Sequence, residues 1–173
     1  DRPLGRTVGN ALEVQEAMDC LRGEGPQDVM AVTEALAVEM VLLAGLEQDR
    51  SGAQSRLEGV LRSGAAWQSW ERNVLAQGGD PDGWQELPRA KVVRVVEAPA
   101  SGHVVDISPR DVGAVVVDLG GGRRQTTDAV DPSVGIVLAA QVGSQVEQGQ
   151  PLFEIHASDA ASAERATQSV LAS

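Results

Sequence analysis

A glycine-rich stretch, "LGGGRRQTTD" at residues 119–128, is the part of the sequence that most resembles a ligand-binding loop. Consecutive glycines can expose backbone N–H groups to a phosphate, and Arg123 or Arg124 could add positive charge. The P-loop pattern, however, needs a lysine followed by serine or threonine at a helix start, and neither is present here. The same composition is typical of a tight turn with arginines in solvent, and this is the simpler interpretation.

Two histidines and one cysteine are the other candidates for acid–base or nucleophilic chemistry. A catalytic histidine needs a nucleophile or carboxylate partner, and a metal site needs several ligands at regular spacing. His103 lies in a predicted strand and His156 at the end of another, near Glu154, but no spacing fixes their mutual geometry. We therefore expect edge or core histidines. Cys20 has apolar neighbours on a predicted helix, and we expect a small core side chain rather than a nucleophile.

Composition excludes several classes of partner. The 173 residues are enough for one ordinary domain or two small ones. A net charge of -11 and only four aromatic residues argue against nucleic-acid binding. The chain lacks the basic face of a peripheral membrane protein, and no apolar run reaches the roughly 18 residues of a membrane span. A single cysteine allows no internal disulfide, which favours a cytoplasmic location.

The sequence from residue 10 to residue 88 predicts helices almost throughout. Asn10 and Glu13 have the spacing of a capping box at a helix start. The stretch "QDVMAVTEALAVEMVLLAGL" then predicts a helix of about five turns, apolar on much of its circumference, which we expect to be largely buried. A Gly-, Pro- and Asp-rich loop at 78–90 follows two shorter helices. The apolar side of the long helix comprises Val29, Val32, Leu36, Met40 and Leu43.

From Lys91 onwards, short β-branched segments bounded by turn residues predict strands. These segments are "KVVRVVEA", "GHVVDIS", "VGIVLAAQ" and "PLFEIHA". Ser108 followed by Pro109 predicts a helix start between the second and third strands. The alanine-rich end predicts a closing helix capped by Ser158 or Asp159. The fold class is therefore α/β (α+β), with a helical region followed by a mixed region.

Two separated segments resemble biotinyl and lipoyl carrier domains, which form a barrel-sandwich hybrid. "EAPASGHVVDI" resembles the early part of such a domain and "QVGSQVEQGQPLFEIHA" the later part. A carrier needs a lysine in the hairpin after the second segment, but "IHASDA" has none and Lys91 lies far upstream. The resemblance predicts barrel-sandwich-like strands and argues against a carrier. A non-catalytic binding or assembly module that uses "GGGRR" remains an alternative.

Five segments together resemble the thymidine and pyrimidine-nucleoside phosphorylase family, over essentially all 173 residues. They are "PLGRTVGNALEVQEA", "VTEALAVEMVLLAGL", "AQGGD", "VVDLGGGRRQTTDAVDPSVG" and "VGSQVEQGQPLFEIHA". The resemblance implies that the sequence is the C-terminal portion of such an enzyme. Residues 1–88 would then complete the large phosphate-binding α/β lobe, and residues 89–173 would form the C-terminal α/β domain.

The resemblance also implies an activity, that of a pentosyltransferase in pyrimidine salvage. In that family, phosphate attacks the anomeric carbon of thymidine or a related nucleoside, which yields thymine and 2-deoxyribose 1-phosphate. Family members are more than twice this length, and their phosphate and base ligands lie upstream, around a Lys-His-Ser motif that this chain lacks. We expect no catalytic or substrate-binding residue here and no activity from this chain alone. We also expect a homodimeric parent enzyme and an exposed part of the long helix that favours self-association.

One partial site is implied by the same resemblance. Some members hold a structural monovalent cation, potassium, near the phosphate site, and require no other cofactor. The ligands from this segment would be the backbone carbonyls of Leu4 and Thr7 and the carboxylate of Glu16, with two more from the upstream half. Without the resemblance, Glu16 reads simply as a solvated helix residue.

Overall fold

The computed structural model describes residues 2–171, and the chain forms two compact units. One unit combines Asp1–Val14 with Leu87–Ser173, and the other is Gln15–Glu86. We call them the mixed unit and the helical unit. This division follows contacts between residues, whereas the predicted boundary at residue 88 concerns the domains of a family, so that boundary stays a prediction.

The helical unit follows the predicted order of helices. The first helix begins at Asn10, directly after a strand, and ends at Leu21, shortly before Gly23. Its first residues, up to Val14, belong to the mixed unit. Asp49 caps the third helix by accepting a hydrogen bond from the Gly52 N–H at 2.8 Å. A short 3-10 helix at Gly83–Glu86 interrupts the predicted loop. The α-helices are α1 (Asn10–Leu21), α2 (Gln27–Leu43), α3 (Arg50–Arg62) and α4 (Ala65–Ala76).

The long helix α2 is far more exposed than its sequence predicts. Val38 is its one buried residue, whereas Val32, Leu36 and Met40 are 44%, 61% and 69% exposed. Within the helical unit, α3 packs against one side of α2 and leaves the apolar stripe uncovered. The prediction of a largely buried helix is therefore wrong for this chain. Periodicity shows which residues share a helix face, but it does not supply a partner for that face.

The mixed unit is built on a four-stranded antiparallel sheet in the order β1-β4-β6-β2, beside a two-stranded sheet of β3 and β5. The predicted strand segments all contain strands, although the second is reduced to two residues. The sequence does not indicate β1 or β5, because two or three residues carry too little alternation to be recognised. The strands are β1 (Thr7–Gly9), β2 (Val92–Glu97), β3 (Gly102–His103), β4 (Gly135–Leu138), β5 (Gln145–Val146) and β6 (Pro151–Ala157).

Helices α5 (Pro109–Leu119) and α6 (Ala160–Val170) pack on the four-stranded sheet and enclose the core. Both helix starts agree with prediction: the Ser108 side chain accepts a hydrogen bond from the Asp111 N–H, and Asp159 accepts one from the Ser162 N–H at 2.8 Å. Fully buried Ile136 and Ile155 lie at the centre of the sheet. Burial of each such side chain contributes about 1.5–3 kcal/mol to stability.

The mixed α/β fold class is confirmed, and the two carrier-like segments do pair with each other. β2 pairs with β6, β3 pairs with β5, and the Ala98 N–H donates to the Gln150 carbonyl at 2.8 Å. After β6 the chain enters α6 within three residues, so no hairpin of the carrier type follows this strand. The barrel-sandwich description itself stays a prediction. No helix between residues 2 and 171 has the length and hydropathy needed to cross a membrane.

Candidate functional site

Strand β1 carries one of the predicted cation ligands at an open edge of the sheet. Thr7 lies opposite Val137, and the next pair is joined by the Leu138 N–H, which donates to the Arg6 carbonyl at 2.6 Å. Bonded and non-bonded pairs alternate along an antiparallel ladder, so Thr7 belongs to a non-bonded pair. Its carbonyl is therefore directed away from β4 and towards the open edge of the sheet.

The hydroxyl of Thr7 is a buried polar group. Its Oγ1 atom is buried, and it makes no hydrogen bond to the part of the chain that the structure describes. A buried hydroxyl without a partner is uncommon and calls for an explanation.

The other two predicted ligands are placed separately. Leu4 lies in the bend before β1, in the mixed unit, with its side chain 54% exposed. Glu16 lies in α1, in the helical unit, and is half-buried. The assembled cation site stays a prediction. Within residues 2–171, no group of three or more His, Cys, Asp or Glu residues is arranged to hold a metal ion.

The start of α1 is held against β4 and the loop that precedes it. The Ala11 N–H donates to the Pro132 carbonyl at 3.0 Å. Gly9 has a φ of 151°, and a Cβ there would lie 2.8 Å from the Val134 carbonyl oxygen, so only glycine allows this approach. The Glu13 carboxylate accepts a hydrogen bond from the Gly9 N–H at 2.8 Å.

The predicted capping box is therefore only half right. The Glu13 carboxylate does reach back over the helix start, but it accepts its hydrogen bond from the Gly9 N–H rather than from the Asn10 N–H. Asn10 is already the first residue of α1, and its side-chain amide donates to the Gly121 carbonyl at 2.8 Å. Sequence spacing identifies a cap candidate but cannot show that its side chain bonds to a residue far along the chain.

The glycine-rich stretch forms a turn in which several hydrogen-bond donors already have partners within the chain. The Asp128 carboxylate accepts hydrogen bonds from the Arg124 and Gln125 N–H groups, each at 3.0 Å. Arg123 Nε donates to the Asp128 carbonyl at 3.1 Å, and the Arg124 guanidinium pairs with Asp118. These two N–H groups and both arginine side chains are therefore not free to bind a phosphate. The structure favours the turn interpretation over phosphate binding.

The same turn is braced on its far side. The Gly120 carbonyl accepts a hydrogen bond from the Asp131 N–H at 2.9 Å. The Asp131 carboxylate in turn accepts hydrogen bonds from the Ser133 hydroxyl and N–H, which lower the pKa of Asp131. A Cβ on Gly121 would lie 2.8 Å from the Val116 Cγ1 atom. The turn is therefore a fixed part of the mixed unit.

The two histidines do not form a common site. His103 is exposed in the two-stranded sheet, whereas His156 lies in β6 between Val93 and Gly135. The His156 Nε2 atom is 3.9 Å from the Glu154 Oε2 atom, which is too far for a hydrogen bond. Burial lowers the pKa of His156, and the opposing effect of Glu154 is smaller. His156 is therefore neutral near pH 7, as expected of a structural histidine.

Cys20 has the properties of an unreactive thiol. Burial raises its pKa, and the nearby carboxylates of Glu16 and Asp19 raise it further. The nucleophile is the thiolate, which these surroundings disfavour. The structure supports the expectation that Cys20 is not a nucleophile, but Cys20 is half-buried and is not one of the core side chains.

Comparison with known proteins identifies relatives for both units. The model of the pyrimidine nucleoside phosphorylase C-terminal domain matches residues 103–173. A pyrimidine-nucleoside phosphorylase of Staphylococcus aureus (strain NCTC 8325 / PS 47) is 38% identical over 159 residues, which are 90% of this chain and 37% of the relative. A thymidine phosphorylase of Burkholderia orbicola (strain MC0-3) is 41% identical over 175 residues, which are 98% of this chain and 40% of the relative. The chain thus spans about two fifths of the length of these curated relatives.

Proposed function

The chain belongs to the pyrimidine-nucleoside phosphorylase family, and we propose that it is the C-terminal part of an enzyme that cleaves thymidine with phosphate. The observation that carries this proposal is the extent of the similarity, which covers 98% of the chain and so includes both units. Residues 1–88 would complete the large lobe of that enzyme, and residues 89–173 would be its C-terminal domain. The enzyme would be a pentosyltransferase of pyrimidine salvage.

The reaction needs a positioned phosphate and stabilisation of the departing base. A phosphate oxygen forms a bond to the anomeric carbon, the bond from that carbon to the base nitrogen breaks, and the base takes up a proton. Orientation of the two reactants and fixed charges around them supply most of the rate enhancement. No Lys-His-Ser motif occurs in this chain, so we assign these tasks to the remainder of the enzyme. This chain would instead stabilise the site without contacting the reacting atoms.

We propose that one such support is a potassium site, with ligands from the Leu4 and Thr7 carbonyls and the Glu16 carboxylate. The direction of the Thr7 carbonyl, which points away from β4 at the edge of the sheet, supports this proposal. When bound, the ion supplies a fixed positive charge. The protein contributes oxygen donors that are held by the pairing of β1 with β4.

The remaining partners follow from the same assignment. Inorganic phosphate and a pyrimidine nucleoside would be the substrates, and the complete enzyme would be a cytoplasmic homodimer. A net charge of -11 argues against nucleic acid and anionic membranes as partners. The alternative of a binding module that uses "GGGRR" loses its main support, because Asp128 and Asp118 already hold these donors.

A phosphorolysis assay tests the proposal. A protein of the relatives' full length that ends in this chain should convert thymidine and phosphate to thymine and 2-deoxyribose 1-phosphate. Both products can be separated by liquid chromatography, and omission of phosphate should abolish both. Thymine without the sugar phosphate would indicate hydrolysis and contradict the proposal, as would the absence of any thymine.

A further inference from the structure

Asn10 joins the first helix to the glycine-rich turn, two segments that lie 111 positions apart in the sequence. Its side-chain amide donates a hydrogen bond to the Gly121 carbonyl at 2.8 Å. We infer that Asn10 is a positioning residue that uses this turn to hold β1, and with it the Leu4 and Thr7 carbonyls, in place for the cation. The inference rests on the proposed function, since it names a residue that supports the proposed cation site.

The receiving side of this bond is rigid. Gly121 follows directly on Gly120, whose carbonyl accepts the Asp131 N–H at 2.9 Å. The close approach of Gly121 to Val116 leaves no room for a side chain. Further along the turn, the Arg124 and Gln125 N–H groups donate to the Asp128 carboxylate. The Gly121 carbonyl is therefore an anchor, and the Asn10 side chain ties the helix start to it.

Asn10, the donor of this hydrogen bond, lies in the same segment of the chain as the proposed ligands Leu4 and Thr7. Asn10 lies three positions after Thr7 and directly after the last residue of β1. Backbone hydrogen bonds on both flanks, from the Leu138 N–H to the Arg6 carbonyl and from the Ala11 N–H to the Pro132 carbonyl, fix the register. Asn10 adds a side-chain bond between them. A substitution can remove this bond and leave the backbone bonds intact.

This arrangement gives the glycine-rich turn a task that needs no ligand of its own. The turn binds no phosphate in this account; it holds the edge strand that presents oxygen atoms to the cation. Loss of the Asn10 bond should therefore weaken potassium binding. It should leave the Michaelis constants for phosphate and nucleoside nearly unchanged at saturating potassium.

The first experiment measures amide hydrogen exchange in the 173-residue chain with Asn10→Ala and Asn10→Asp. Asn10→Asp keeps the shape of the side chain but removes the donor. A matched control is Asn73→Asp, the same change at an exposed position in α4. A net hydrogen bond contributes about 1 kcal/mol, so the Ala11 and Leu138 amides should exchange about fivefold faster in both Asn10 variants. The amides between β2 and β6 should keep their rates.

The second experiment titrates potassium against a protein of the relatives' full length, with sodium as the reference ion. Phosphorolysis rate and thermal melting temperature are both recorded, so that binding is measured with and without activity. In Asn10→Ala, the half-saturating potassium concentration should rise about three- to tenfold in both measurements. Asn73→Asp should leave it unchanged.

The outcomes separate the two proposals. A wild-type protein with no phosphorolysis activity overturns the proposed function. An active wild type whose potassium dependence is unchanged by Asn10→Ala overturns the positioning role alone. An active wild type that shows no potassium dependence overturns the proposed potassium site together with the positioning role, but not the proposed phosphorolysis. Faster exchange in Asn10→Asp but not in Asn10→Ala would show that repulsion rather than a lost hydrogen bond is responsible, and would also overturn that role.

Discussion

The two units of the chain use similar apolar residues with opposite results. In the mixed unit, aliphatic side chains from the sheet, α5 and α6 form one continuous buried core. In the helical unit, which contains the long apolar helix α2, few large side chains are fully buried, among them Met18 and Val38. The difference arises because α5 and α6 cover one face of the sheet in the mixed unit, whereas no described element of the helical unit covers the apolar stripe of α2. We infer that the mixed unit is nearly self-sufficient and that α2 needs a further partner.

The largest expected contrast comes from truncation of one apolar side chain in each unit. Ile155→Ala removes a fully buried side chain from the centre of the sheet and should lower the free energy of unfolding by about 2–5 kcal/mol. Leu36→Ala removes a side chain that is 61% exposed on α2, and it should change that free energy by less than about 0.5 kcal/mol.

Urea titration followed by circular dichroism measures the first change. All three tryptophans of the sequence fall within residues 15–86, so their fluorescence reports the helical unit separately. If Leu36→Ala lowered the free energy of unfolding as much as Ile155→Ala does, α2 would already be packed and the contrast between the units would fail.

The uncovered stripe on α2 should make the chain self-associate. Met40 and Leu43 are 69% and 87% exposed on the same helix face, and contiguous apolar surface of this kind promotes association. Light scattering should detect oligomers at high concentration. The double variant Leu36→Gln, Met40→Gln should raise the dissociation constant at least about tenfold, since each exposed contact contributes roughly 1 kcal/mol or more.

A matched control comes from the mixed unit. Val105 is 86% exposed there, and Val105→Gln removes an exposed apolar side chain outside the stripe. Its dissociation constant should equal that of the wild type. A monomeric wild type at high concentration, or an equal effect of Val105→Gln, would show that the stripe on α2 does not drive association.

A smaller difference between the units should appear with pH. Burial holds the pKa of His156 in the mixed unit below its ordinary value. The unfolded chain therefore binds a proton at a higher pH than the folded chain does, so stability present near pH 7 is lost as the pH falls towards 5. The carboxylates of Asp131, Asp159 and Glu164 have lowered pKa values and titrate below this window.

Hydrogen exchange at pH 7 and pH 5, corrected for intrinsic rates, measures this loss at the β4 and β6 amides. In His156→Gln the pH-dependent part should disappear. Retention of the full pH dependence in that variant would assign it to another group.

The sequence predicted the elements whose signals are local. Ser108 and Asp159 begin helices as their residue types indicate, and the alternating segments after Lys91 contain strands. It did not predict β1 or the bond from Asn10 to Gly121, because both depend on residues more than a hundred positions away. The exposure of α2 could not be predicted from its apolar pattern, which does not reveal whether a partner is present; the expectation of an exposed part came from the resemblance to longer proteins.

The candidate site was even less accessible to residue-by-residue reasoning. Leu4 and Thr7 would enter it through backbone carbonyls, and a carbonyl leaves no signature in the type of residue that carries it. The resemblance to a family supplied these positions. The structure adds the direction of the Thr7 carbonyl, its buried hydroxyl and the brace through Asn10.

The central claim is that this chain supports a phosphorolysis site without carrying the groups that perform the reaction. The most direct measurement is thymine release from thymidine and phosphate, made in parallel on the pure 173-residue chain and on a protein of the relatives' full length that ends in it. We predict phosphate-dependent release by the longer protein and none above background by the 173-residue chain. Release by the 173-residue chain, or no release by the longer protein, would contradict the account.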